Sequence, residues 1–96
     1  MSPINKKKLD LIRIKLDKLD TELLKLIKKR SNLVNEVLKV KVYKKEIIDQ
    51  KRINFILKKI KKKSHQLKID PKITNRIWKS MIWSFIDYEK KNFKKK

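Results

Sequence analysis

The sequence predicts an all-α fold of three helices per chain, and three observations carry that expectation. An apolar seam steps by alternating threes and fours through Leu9, Ile12, Leu16, Leu19, Leu23 and Leu26, then resumes at Leu33, Val37 and Val40. Two aspartates, Asp49 and Asp70, stand where helices would start, each just ahead of a further apolar stripe. No stretch alternates apolar and polar residues with the period of two that a half-buried strand needs. No block of roughly 20 to 50 residues repeats either.

The first helix is expected over about residues 5 to 42, because its seam holds for about five heptads with no Pro or Gly to interrupt it. Such a rod would run roughly 55 Å, which a chain of 96 residues cannot cover alone. Much of it must therefore pack on a second copy. The string KKEIIDQKR breaks the pattern. Asp49 reads as an N-cap, with Ile47 and Ile48 available as a hydrophobic staple, and opens a second helix at about 50 to 66. Its stripe is Ile53, Ile56, Leu57 and Ile60. In LKIDPK, Asp70 is the next N-cap and Pro71 takes the first helical position, where its missing N–H costs nothing. The third helix, about 71 to 92, carries Ile73, Ile77, Trp78, Met81, Ile82, Phe85 and Ile86. The closing KKK is expected to fray, and residues 1 to 96 are read as one domain.

Composition narrows the function classes. There are no cysteines, so no disulfide framework and no thiolate metal site, which fits a reducing, cytoplasmic setting. Apolar runs are too short to span a membrane, and the basic N-terminus has no apolar core of a secretory signal. Lys and Arg total 30 against 10 Asp and Glu, a formal charge of +20. That balance suggests a polyanionic partner. Yet 26 of the 30 are Lys and four are Arg, in a chain with no Gly and no Ala but many Ile and Asn. Lys, Ile and Asn belong to A/T-rich codons, so genomic bias accounts for much of the basicity. In such a background an arginine is the informative residue.

Arg30 occupies the seam position after Leu26, where a leucine is expected. A guanidinium buried there without a partner is very costly, so it must meet an anion. One reading is a core carboxylate, but Glu36 and Asp20 are not three or four residues away on the helix. The other is a ligand: Val34, Val37 and Lys41 share a face with Arg30, two cations flanking an apolar floor. Arg13 lies 17 residues earlier, roughly 25 Å along one helix. If two copies pair antiparallel about residues 21 and 22, Arg13 of one falls beside Arg30 of the other. A symmetric pair then holds two identical cationic pockets. Arg52, in the first turn of the second helix, is placed to close each one. Several arginines in one small site suit a ligand with more than one carboxylate.

The strings LDLIRIKLDKLDTELLKLIKKRSNLVNEVLKVK, IIDQKR and IDPKITNRIWKSMIWSFIDYE together resemble the all-α class of chorismate mutases. The resemblance covers about residues 9 to 89. It implies an intertwined homodimer of three-helix protomers that converts chorismate to prephenate, a step toward phenylalanine and tyrosine. By position, Arg13 from the partner chain and Arg30 would hold substrate carboxylates, and Lys41 would reach the ether oxygen. Asp49 and Arg52 match the D-x-x-R that holds the substrate hydroxyl and ring carboxylate. Val37, Ile82 and Ile86 would pack on the substrate, and Glu89 falls where the family has Gln or, in some members, Glu. Two positions depart from the pattern. Ile53 replaces a Glu that commonly follows the helix-two arginine, and Phe85 replaces a Ser four residues before Glu89. Related isochorismate-pyruvate lyases share the scaffold and carry apolar residues at similar places, so that activity is the alternative.

The implied reaction is pericyclic and needs no nucleophile, metal or cofactor; fixed cations would supply proximity and electrostatic stabilisation. The one histidine, His65, sits in a basic stretch and reads as a surface residue. Two other classes compete: a basic helical nucleic-acid binder, and a purely structural coiled-coil dimer. The first lacks a recognised nucleic-acid motif, and the second leaves Arg30 to be explained, so neither nucleic acid nor a membrane is the expected partner.

Overall fold

The computed structural model describes residues 2–95, so the last of the three closing lysines lies outside it. Three α-helices make up the chain: α1 (Pro3–Val40), α2 (Gln50–Gln66) and α3 (Pro71–Asn92), with a 3₁₀ turn at Lys44–Ile47 between the first two. Among the described residues there is no strand, and no helix is long and apolar enough to cross a membrane. The chain divides into two compact units, one up to Leu33 and one from Val34 onward.

The first unit is helical almost from its start. Pro3 takes the first helical position and the Ser2 hydroxyl accepts from the Asn5 N–H at 3.1 Å, a cap that the seam pattern alone does not reveal. No residue of α1 is buried. Leu19 is 64% exposed and Leu26 59%, so the predicted seam is present as a helix face and uncovered beyond the half-buried Leu9.

The second unit holds the core. Ile47, Ile53, Ile82 and Ile86 are buried together, with Leu38, Ile56, Leu57, Trp78 and Phe93 packed around them. Asp49 caps α2 by accepting from the Arg52 N–H at 3.0 Å, and Asp70 caps α3 through the Lys72 N–H at 3.0 Å. Between α2 and α3 the chain reverses without a glycine. Lys68 takes a left-handed conformation (φ 58°), while its N–H bonds the His65 carbonyl and that of Ile69 bonds the Ser64 carbonyl. This pair of bonds is the Schellman arrangement, usually built on Gly at the left-handed position. A buried hydroxyl pair, Ser64 Oγ and Thr74 Oγ1 at 2.6 Å, ties the two helices near this turn.

Two features differ from the sequence reading. The helix α1 ends at Val40 rather than near residue 42. The Lys41 N–H tightens onto the Leu38 carbonyl, three residues back, and the β-branched Val42 leads into the 3₁₀ turn. On α3, Ile73 and Ile77 are half exposed, because α2 covers only the side that carries Trp78, Ile82 and Ile86.

Candidate active site

In the second unit the chemistry gathers where the end of α1 meets the end of α3. Lys41 stands just past the last turn of α1, with its N–H still bonded to the Leu38 carbonyl. Its Nζ donates to Glu89 Oε1 at 3.3 Å and Oε2 at 3.5 Å. Glu89 follows Ile82 and Ile86 on the inner face of α3, at the i, i+4, i+7 spacing that keeps one side of a helix together. The side chains of Lys41 and Glu89 are 16% and 8% exposed, so this ion pair is largely withdrawn from water. Such a pair is useful to a site because its charges are held in place and weakly screened. Beside it, the Tyr88 hydroxyl donates to Asn35 Oδ1 at 2.8 Å, a second polar tie between the two helix ends.

An open recess of about 430 Å³ adjoins the pair, lined by Lys41, Glu46, Ile48, Asp49, Gln50 and Lys51. Lys41 and Asp49 therefore face one hollow. The recess keeps its shape through short-range bonds. Glu46 accepts from the Tyr43 N–H at 3.3 Å while its own N–H bonds the Tyr43 carbonyl at 3.0 Å. Ile47, 3% exposed, pins the 3₁₀ turn to the core. Asp49 already has an occupation, the cap of α2, so one of its oxygens is committed to the Arg52 N–H.

Other expected residues are placed differently. Ile82 and Ile86 are core residues, each 5% exposed, and offer little surface beyond their support of Glu89. Val37 is exposed. The Arg52 guanidinium lies over the Phe55 ring, 5.3 Å from its centroid, and lines no part of the recess. Ile53 is buried in the core, so the position that departs from the family pattern has become a packing residue. Ser84 donates to the Ser80 carbonyl at 2.7 Å and faces solvent, while Phe85 is half-buried. In the first unit, Arg30 is half-buried and Arg13 is exposed.

The family model for chorismate mutase type II matches residues 12–90. The chain belongs to that family. Family membership makes it an enzyme of the isomerase class, and the all-helical architecture agrees with it. No curated protein and no solved structure matches the chain. The match takes in Arg13, Arg30, Lys41, Asp49, Arg52 and Glu89, so every polar candidate falls within the stretch that defines this chorismate mutase relative.

Proposed function

We propose that the chain converts chorismate to prephenate in phenylalanine and tyrosine biosynthesis, in the cytoplasm, as an antiparallel homodimer with one domain per chain. The observation that carries this is the Lys41–Glu89 pair, a cation and a carboxyl held 3.3 Å apart between helix ends inside the family match. Lys41 is set to donate to the ether oxygen as its bond to carbon breaks, and Glu89 to complete that contact from the other side. Arg30, with Arg13 of the partner chain, would clamp the two carboxylates and hold the substrate in its folded, reactive geometry. Asp49 would meet the ring hydroxyl and Arg52, once swung off the Phe55 ring, the ring carboxylate, while Val37 would supply the apolar floor and Ile82 and Ile86 would back it from the core. Nothing in this scheme calls for a nucleophile. Catalysis would rest on restricting a flexible dianion and on cations already aimed at growing negative charge.

The homodimer is supported by the uncovered seam of α1. A face of Leu, Ile and Val that is half or more exposed over most of its length is far larger an apolar patch than a soluble monomer usually shows. A second reading, an isochorismate-pyruvate lyase on the same scaffold, is favoured by one observation. Ile53 is 6% exposed in the core where the family commonly offers an acceptor for the substrate hydroxyl. Purified protein given chorismate and, separately, isochorismate distinguishes the two: prephenate from the first supports the mutase, and salicylate from the second alone replaces it with the lyase.

A further inference from the structure

We propose that the outward face of α2 is a binding surface for single-stranded nucleic acid, with Phe55 as its stacking platform. The charge on this helix is segregated in a way that composition does not explain. Gln50–Gln66 carries Lys51, Arg52, Lys58, Lys59, Lys61, Lys62 and Lys63, and no Asp or Glu occurs from residue 50 to 69. The helix α1 is different, with Asp10, Asp17, Asp20, Glu22 and Glu36 spread among its cations. Codon bias raises lysine everywhere, but it does not strip carboxylates from one helix.

The cations also share a face. At 3.6 residues per turn, Lys51, Phe55, Lys58, Lys59 and Lys62 fall on the side of α2 opposite Ile53, Ile56, Leu57, Ile60 and Ser64, with Lys63 on the flank between the two. Burial agrees: the first set is exposed and the second buried or half-buried. No carboxylate forms a salt bridge with any of these lysines among the described residues. In the middle of the stripe Phe55 is 54% exposed, with the Arg52 guanidinium 5.3 Å and the Lys59 ammonium 5.8 Å from its ring centroid. An aromatic ring standing among cations is the arrangement by which proteins hold single strands: lysines track the phosphates and the ring stacks on a base. A lipid surface fits less well, because Phe55 is the only apolar residue on this face and little would insert.

Fluorescence anisotropy with a labelled oligothymidylate of about 15 nucleotides tests the proposal. Five lysine–phosphate contacts give a log–log salt slope of about −3.5, so affinity should fall about a hundredfold between roughly 50 and 200 mM salt. Combining Lys58→Gln, Lys59→Gln, Lys62→Gln and Lys63→Gln should reduce the slope by about three. The same charge removed from α1, by Lys6→Gln, Lys7→Gln, Lys8→Gln and Lys15→Gln, should leave it unchanged. Phe55→Leu should weaken binding about tenfold with the slope intact, which tests the stacking role even where the fourfold variant loses helix content. Three results would overturn the proposal: equal losses from the α1 and α2 variants, no binding at the lowest salt, or tighter binding to phosphatidylserine vesicles than to the oligonucleotide.

Discussion

Replacing Lys41 with methionine separates what this residue does for the fold from what it does for the reaction. The substitution keeps most of the side-chain volume and leaves the Glu89 carboxyl, 8% exposed, without its cation. Ion pairs at the surface are worth about 0 to 1 kcal/mol, whereas breaking a buried pair by removing one partner costs about 3 to 5 kcal/mol. Lys41 retains 16% exposure, which places the loss near the low end of the buried range, about 3 kcal/mol. With a urea m-value of about 1.5 kcal/mol/M, the unfolding midpoint should drop by roughly 2 M at fixed protein concentration. Adding Glu89→Leu removes the stranded charge and should return most of that stability, since an apolar pair of similar volume commonly substitutes for a buried ion pair. Activity should behave oppositely. Loss of a donor to the breaking ether oxygen raises the barrier by about 3 to 4 kcal/mol, and the double variant should stay as inactive as the single one. An unchanged midpoint for Lys41→Met, or a double variant that regains its rate, would refute this division of roles.

Glu89→Gln should change the rate of the reaction, because the amide brings a hydrogen-bond donor to the site and leaves Lys41 without its carboxylate. An unaltered rate would place Glu89 outside the chemistry. Sedimentation at micromolar concentration should show a homodimer, and a folded monomer would mean that no second copy covers the α1 seam. Ser64→Ala should lower stability by about 1 to 2 kcal/mol in urea unfolding, because Thr74 loses its 2.6 Å partner inside the core. Ser64→Ala combined with Thr74→Val should cost less than the two single losses together.

Much of this architecture is legible because its signals are local. Asp49 and Asp70 read as caps from sequence, and each accepts from the backbone of its own helix. The stripe Ile53, Ile56, Leu57 and Ile60 lies on the side of α2 that turns to the core. The Ser2 cap, the Schellman reversal at Lys68 and the burial of Ile47 are harder to read, since each depends on a backbone geometry that hydrophobic periodicity does not encode. The site divides along the same line. Lys41 and Glu89 both belong to the site that the family resemblance implies, but nothing in the residues themselves links positions 48 apart. Arg52 shows the opposite case: its motif predicts a ligand, whereas its guanidinium lies over Phe55, a neighbour one turn along that the motif does not include.

The proposed site is completed by two copies of the chain, and mixed dimers test that most directly. Arg13→Ala and Arg30→Ala should each lower chorismate turnover by at least about two orders of magnitude, the usual effect of losing a transition-state cation, with helix content retained. When the two inactive variants are unfolded together and refolded, about half of the dimers should pair one of each. Every such dimer has one site with both substitutions and one with neither, so about a quarter of the native activity should return. If heterodimers form, as tagged copies would show, and turnover stays at the level of the separate variants, then Arg13 and Arg30 do not meet across an antiparallel pair.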